Sequence, residues 1–208
     1  MESKTTAPQA DQAGIWTPAN IVTCVRIAFI PVFMVLAKLS CVQAGAVYLQ
    51  APAIAAFALY VLLSLTDKLD GYLARSRGQI TDFGKFLDPI ADKLLVFSAL
   101  LVLLEQGLVS VWFVFIILLR EFLVSALRMV AGAKGIVIAA DTLGKWKTAV
   151  TMVSLCGYFL AIAFAASGGV YVAAWILIAA QVLMVVAVVL TVVSGIQYFW
   201  NGRDVIFS

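Results

Sequence analysis

The sequence predicts an all-α integral membrane protein, folded as a bundle of six transmembrane helices with both termini in the cytoplasm. Three observations lead to this prediction. Hydrophobic residues make up 64% of the 208 residues and charged residues only 12%, and the mean hydropathy of +1.08 is too high for an ordinary soluble domain. Six apolar stretches are long enough to span a bilayer. The basic residues between these stretches fall almost entirely on one side.

The six predicted spans are runs of predominantly apolar residues. They cover residues 20–38, 46–66, 86–104, 109–131, 148–166 and 171–197. Thr17 and Pro18 predict the start of the first helix, as an N-cap followed by proline at the first helical position. The last run is long enough to tilt or to extend beyond the bilayer. The chain is therefore divided into a juxtamembrane segment 1–19, one membrane domain 20–200 and a short cytoplasmic tail 201–208.

The basic residues set the predicted orientation. Connections 39–45, 105–110 and 167–170 contain no Lys or Arg, and Lys38 is the only basic residue near that face. The basic residues outside the spans lie instead at Lys4, in the hinge 67–85, in the loop 132–147 and at Arg203. By the positive-inside rule, both termini and these two connections face the cytoplasm. The net charge of +3 follows from this distribution and does not indicate nucleic-acid binding.

Two pairs of aspartates flank the short polar loop between helices two and three. Asp67 and Asp70 are three residues apart, and Asp88 and Asp92 are four apart, so each pair shares a helix face. If the two helices form an antiparallel hairpin, both pairs face one space. Four carboxylates that close together must protonate, pair with bases or bind metal.

Divalent metal is the favoured partner for these carboxylates. The chain contains no His, and oxygen ligands alone favour Mg²⁺ or Mn²⁺. Two such ions would balance the four charges and leave open positions for a pyrophosphate. The alternative is a set of salt bridges without a functional role, from the aspartates to Lys68, Arg75, Lys85 and Lys93.

The same segment carries a longer pattern, DKLDGYLARSRGQITDFGKFLDPIAD. It fits DxxDGxxAR, eight further residues and then GxxxDxxxD, and so many fixed identities over about 26 residues are highly specific. The pattern resembles the signature of the CDP-alcohol phosphotransferase family, and the layout of the apolar runs fits that family too. The matching positions are Asp67, Asp70, Gly71, Ala74, Arg75, Gly84, Asp88 and Asp92.

The resemblance implies an enzyme that transfers a substituted phosphate from a CDP-linked lipid to an alcohol and releases CMP. It implies Asp67, Asp70 and Asp88 as metal ligands, and Asp92 as both a ligand and the general base. It also implies a homodimer. Helix packing is the alternative role for the small residues of the motif, because such residues are common at helix contacts in membranes. The residues assigned to the CDP-lipid site are Asp67, Asp70, Gly71, Ala74, Arg75, Thr81 and Gly84.

A second group of basic residues lies between helices four and five. Arg120 is inside helix four, where a charge is expensive, so it either pairs with an acid such as Glu121 or binds an anionic substrate. Arg120, Arg128 and Lys145 together could hold a phosphate carried by the acceptor. Ranked below these three, as residues that only set topology, are Lys134 and Lys147. Arg26, a further charge inside helix one, is assigned no role.

This region resembles the branch of the family that uses sn-glycerol 3-phosphate as acceptor. The implied donor is CDP-diacylglycerol, the implied products are phosphatidylglycerophosphate and CMP, and the expected setting is a bacterial inner membrane with the site facing the cytoplasm. An inositol phosphate acceptor is the nearest alternative. Two other classes remain open: a cation transporter, which would be expected to carry midplane acids and repeat symmetry, and a structural membrane protein.

Overall fold

Six α-helices make up nearly all of the chain in the parts that the structure describes. The computed structural model describes residues 17–42, 47–76, 82–134 and 142–207, except for some side chains, among them those of 67–76 and 201–207. The predicted all-α fold is confirmed for these parts, apart from two strands of two residues each between the first two helices. The helices are α1 (Pro18–Leu39), α2 (Gln50–Ser76), α3 (Asp82–Glu105), α4 (Val111–Ala133), α5 (Thr142–Ala166) and α6 (Val170–Phe207).

The helices extend further into polar sequence than the predicted spans do. α3 begins at Asp82 and α5 at Thr142, because backbone hydrogen bonds continue where the apolar run has ended. α6 is 38 residues long, about 57 Å, and includes most of the predicted tail. The early start of α3 also places Pro89 inside the helix.

Two short strands between α1 and α2 pair with each other, a feature that the sequence did not predict. Strand β1 (Cys41–Val42) pairs antiparallel with β2 (Val47–Tyr48), and α2 begins only at Gln50. The predicted start of helix two at residue 46 is therefore too early. At the other end of α1 the prediction is confirmed: the Thr17 side chain accepts a hydrogen bond of 3.3 Å from the backbone N–H of Asn20.

Three described helices are long and apolar enough to cross a membrane. Their segments are Asn20–Leu39, Thr142–Ala166 and Val170–Trp200, with mean hydropathies of 2.1, 2.0 and 2.9. α2 contributes a shorter apolar stretch, Gln50–Thr66. In α3 and α4 charged residues interrupt the apolar run. These segments identify the chain as a membrane-embedded protein.

Buried aromatic rings join three of the helices at the centre of the bundle. Phe33 of α1, Tyr60 of α2 and Phe159 of α5 are almost fully buried, with ring centroids 5.1 to 5.6 Å apart. α1 also packs along α3, and α6 packs against α4 and α5. α1 therefore packs on one side of α3, and α4 and α5 lie on another side of it. Charged side chains of α3, α4 and α5 meet there.

Candidate active site

The second half of the motif forms one wall of a cavity. Asp88 and Asp92, one helical turn apart on α3, both line a cavity of about 310 Å³ that is bounded on other sides by α4 and α5. The prediction that these two carboxylates share one face is confirmed. The Asp92 side chain is 42% exposed and Asp88 is also exposed, so both carboxylates are accessible from the cavity.

Helix α1 contacts this aspartate pair through two buried side chains. Thr23 donates a hydrogen bond of 3.0 Å from its hydroxyl to Oδ1 of Asp88. Three residues further along the same helix, Nη1 of Arg26 lies 3.6 Å from Oδ1 of Asp92. The two carboxylates are thus fixed by α1 on one side and open to the cavity on the other.

The first half of the motif lies on the last turns of α2. The helix runs to Ser76 and therefore includes Asp67, Asp70, Gly71, Ala74 and Arg75, as predicted. The side chains of these five residues lie outside the described part of the structure, and so does Thr81. Gly84 is buried near the start of α3. The roles assigned to these residues in binding the CDP-lipid therefore stay predictions.

The described acids at the site are suitable ligands for a hard cation. Asp88 and Asp92 offer carboxylate oxygens on an open cavity, which is the donor type that Mg²⁺ and Mn²⁺ prefer. Among the side chains that the structure describes, no three His, Cys, Asp or Glu residues form a metal cluster. Two of the four predicted ligands, Asp67 and Asp70, are outside that set, so the metal site stays a prediction.

One base from the salt-bridge alternative has a described side chain. Lys93 lines the cavity, and its Nζ donates to the Ser125 hydroxyl at 2.5 Å. The Ser125 hydroxyl in turn donates to the backbone carbonyl of Glu121 at 2.7 Å. Among the described side chains, Arg26 is a basic neighbour of Asp92.

The opposite wall of the cavity carries an acid held between two cations. Glu121 of α4 and Lys147 of α5 both line the cavity, and the buried Lys147 ammonium donates to Oε1 of Glu121. Nη1 of Arg120 bonds the same oxygen at 3.1 Å, and Nη2 bonds the Ser194 hydroxyl of α6 at 3.2 Å. Of the two alternatives for Arg120, pairing with Glu121 is therefore the one observed.

The three residues predicted to hold an acceptor phosphate are not gathered around the cavity that contains the aspartates. Arg120 lines a different, mostly apolar cavity of about 790 Å³ between α4 and α6. Arg128 donates from Nε to the Tyr198 hydroxyl at 3.0 Å, with its guanidinium carbon 5.5 Å from that ring's centroid. Lys145 is exposed on α5. Their assignment as phosphate ligands stays a prediction.

Lys147, which the sequence analysis ranked lower, is the α5 lysine at the cavity. The spacing of buried residues along α5 indicates that Lys147 faces inward. Thr151, Ser154 and Tyr158 follow it at four, seven and eleven residues, and all are buried on the same face. Lys145 is two residues earlier and falls on the other side of the helix. A helical-wheel comparison of the two lysines would have favoured Lys147.

Arg26 could also have been found from its spacing. Asn20, Thr23 and Arg26 recur every three residues in an otherwise apolar helix, and all three are buried. A polar stripe of this kind inside a membrane helix indicates a buried polar partner. Here Thr23 and Arg26 meet the two aspartates of α3.

Comparisons with known proteins agree with the motif. A sequence model of the family described as CDP-alcohol phosphatidyltransferase matches residues 16–193. The chain is 38% identical over 185 residues to the CDP-diacylglycerol–glycerol-3-phosphate 3-phosphatidyltransferase of Bacillus subtilis, covering 86% of this chain and 92% of that protein. It is 37% identical over 197 residues to the probable phosphatidylglycerophosphate synthase of Mycobacterium tuberculosis, covering 94% and 87%. A Rickettsia bellii protein with the same name as that of B. subtilis is 35% identical over 182 residues, covering 86% and 92%.

Proposed function

Because this chain belongs to the CDP-alcohol phosphatidyltransferase family, we propose that it transfers the phosphatidyl group of CDP-diacylglycerol to sn-glycerol 3-phosphate. The products are phosphatidylglycerophosphate and CMP, in phospholipid biosynthesis. One observation carries the proposal: a single cavity has two of the motif aspartates, Asp88 and Asp92, on one wall and a buried lysine on the opposite wall. The names of the bacterial relatives favour the same donor and acceptor.

Asp92 is the proposed general base. Its carboxylate is partly open to the cavity, so it can accept the proton of an acceptor hydroxyl that enters there. The hydroxyl oxygen then bonds to the phosphorus of the phosphatidyl group, and the bond from that phosphorus to the CMP oxygen breaks. CMP leaves with the bonding electrons, so the transfer is direct.

The four motif aspartates are the proposed ligands of a divalent metal, as two Mg²⁺ or Mn²⁺ ions. When bound, the metal supplies positive charge against the pyrophosphate of the donor and the departing CMP. Asp88 and Asp92 support this assignment as accessible oxygen donors on the cavity wall. Thr23 and Arg26 hold these two carboxylates in place from α1.

The acceptor phosphate is proposed to bind at Lys147. This ammonium lies on the wall opposite the aspartates, so a phosphate bound to it leaves the rest of the acceptor facing Asp92. Lys93 adds a second positive charge to the cavity lining. Arg120 and Lys147 share Glu121, which fixes both cations. Lys147 therefore ranks ahead of Lys145 in this proposal.

The proposed topology has six transmembrane helices, with both termini and the cavity on the cytoplasmic side of a bacterial inner membrane. α3 and α4 contain 24 and 23 residues and are about 35 Å long, enough to span a bilayer core of about 30 Å. The positive-inside distribution and the bacterial relatives support this orientation and setting. The homodimer implied by the resemblance stays a prediction.

The test is CMP release by the purified protein with Mg²⁺ and CDP-diacylglycerol. Glycerol 3-phosphate, an inositol phosphate, serine and no acceptor are offered in parallel, beside an Asp92→Asn control. We expect release with glycerol 3-phosphate only, and loss of release in the variant. Release with inositol phosphate alone would keep the chemistry and reject the acceptor. No release with any acceptor would contradict the enzyme proposal and favour the transporter alternative.

A further inference from the structure

Arg26 is a buried charge in a helix that has no part in the motif. Only 2% of the residue is exposed, and it lies within the apolar segment Asn20–Leu39. A charged side chain within a membrane helix is expensive and is usually kept for a functional partner. The observed partner is Asp92, with Nη1 of Arg26 lying 3.6 Å from Oδ1.

The contact belongs to a paired arrangement between two helices. Thr23 and Arg26, three residues apart on α1, meet Asp88 and Asp92, four residues apart on α3. Both spacings place side chains on one helix face, so the two contacts support each other. Arg26 contacts Oδ1 of Asp92 from the buried side, while the carboxylate as a whole stays 42% exposed.

We propose that Arg26 is a positioning residue for the transfer, an inference that rests on the proposed function. It holds Oδ1 of Asp92 from the α1 side, while Asp92 lines the cavity that the acceptor hydroxyl would enter. Its positive charge also competes with a divalent cation for the same carboxylate. Arg26 therefore keeps Asp92 able to accept the proton of the acceptor hydroxyl, because metal does not occupy the whole carboxylate.

Because Arg26 has two effects, its removal should change kcat, the acceptor KM and Mn²⁺ binding in different ways. Arg26→Met removes the contact with Asp92. We therefore expect kcat to fall roughly 10- to 100-fold, as is typical for residues that orient catalytic groups. The KM for glycerol 3-phosphate should change less than about threefold, because the acceptor phosphate binds on the opposite wall. Binding of Mn²⁺ without substrates should become tighter, since a neighbouring positive charge has been removed.

The experiment measures kcat, KM and direct Mn²⁺ binding, the last by electron paramagnetic resonance, for wild type and three variants. Arg26→Lys keeps the charge but changes its position, so we expect kcat between those of wild type and Arg26→Met, with nearly unchanged Mn²⁺ binding. Lys38→Met is the matched control. Lys38 lies on the same helix but is exposed and pairs with Glu105 at 2.8 Å, so its removal should leave all three quantities unchanged.

Weaker Mn²⁺ binding together with a raised KM in Arg26→Met would overturn the proposal, because that result indicates general disruption of the site. Wild-type kcat in either Arg26 variant would overturn it as well. If Arg26→Met does not fold, Arg26→Lys alone decides. Failure of the proposed function is a separate result: the wild-type protein would release no CMP, while the Mn²⁺ comparison would still report the effect of the Arg26 charge.

Discussion

Two buried cations pair with acids in the walls of the cavity. Arg26 contacts Asp92 at the back of one wall, and Lys147 contacts Glu121 on the other. An unpaired charge at either place would be costly in a membrane, so each cation stabilises the carboxylate beside it. The two cations differ in position: Lys147 lines the cavity, and Arg26 lies behind it.

Lys147→Met should weaken acceptor binding. Loss of a charge-assisted hydrogen bond to the acceptor phosphate predicts a KM for glycerol 3-phosphate raised about 10-fold or more. The KM for CDP-diacylglycerol should change little, since the proposed donor site is at the aspartates. Steady-state kinetics with each substrate varied in turn measures both values.

Lys145→Met is the matched control for this prediction. Lys145 is exposed on the same helix, so its removal should raise the acceptor KM less than about threefold. A larger rise in the acceptor KM for Lys145→Met than for Lys147→Met would contradict the assignment of the acceptor phosphate to Lys147. It would favour Lys145, as the sequence alone suggested.

Helix α1 shows what local sequence patterns cannot predict. Its apolar run and its Thr17 cap identify it as a membrane helix with the correct start. The partner of Thr23, however, lies 65 residues away on α3, and no spacing within either segment predicts which helix packs behind the aspartates. The motif identifies the acids, but which side chains contact them depends on tertiary packing.

Helices α5 and α6 approach closely at a pair of small residues. A Cβ added to Gly157 would lie 3.0 Å from the Cβ of Ala180, and the Ser154 hydroxyl donates to the Ala180 carbonyl at 2.8 Å. Small residues let membrane helices pack at short distance. This contact helps to hold α5, and therefore Lys147, in register with the rest of the bundle.

Gly157→Ala should therefore destabilise the protein although alanine favours helices. Overpacking at this contact predicts a loss of about 1 kcal/mol or more in the free energy of unfolding. Gly132→Ala is the control, because a Cβ there meets nothing within 4 Å in the described structure and should leave stability unchanged or slightly raised. Thermal unfolding in detergent measures both. Equal stability of the two variants would contradict close packing of α5 on α6.

At the scale of the whole molecule, the sequence predicted the six helices of the described parts and the start of α1, but not where α3 and α5 begin. Apolar runs reveal where a chain can lie in lipid, but α3 and α5 begin in polar sequence that carries site residues. The structure places Lys147, and not the higher-ranked Lys145, in the cavity lining, because the two lysines lie on different faces of α5. Composition and charge distribution still supported a membrane-embedded bundle.

The proposed orientation predicts opposite accessibility for two exposed positions. Cysteines would be introduced at Lys145, near the start of α5, and at Val170, which is 63% exposed and begins α6 just beyond the other end of α5. With Cys24, Cys41 and Cys156 replaced by serine, an impermeant thiol reagent should label Lys145→Cys from the cytoplasmic side and Val170→Cys from the other side. Labelling of both positions from one side would contradict the topology.

The most direct measurement of the central claim is the stoichiometry of the lipid product. Purified protein would be incubated with CDP-diacylglycerol, glycerol 3-phosphate and Mg²⁺, with lipids identified by mass spectrometry and CMP quantified in the same sample. The account predicts one phosphatidylglycerophosphate formed for each CMP released, and no CMP without the acceptor. CMP release that is independent of glycerol 3-phosphate, or a lipid product that lacks it, would contradict the account.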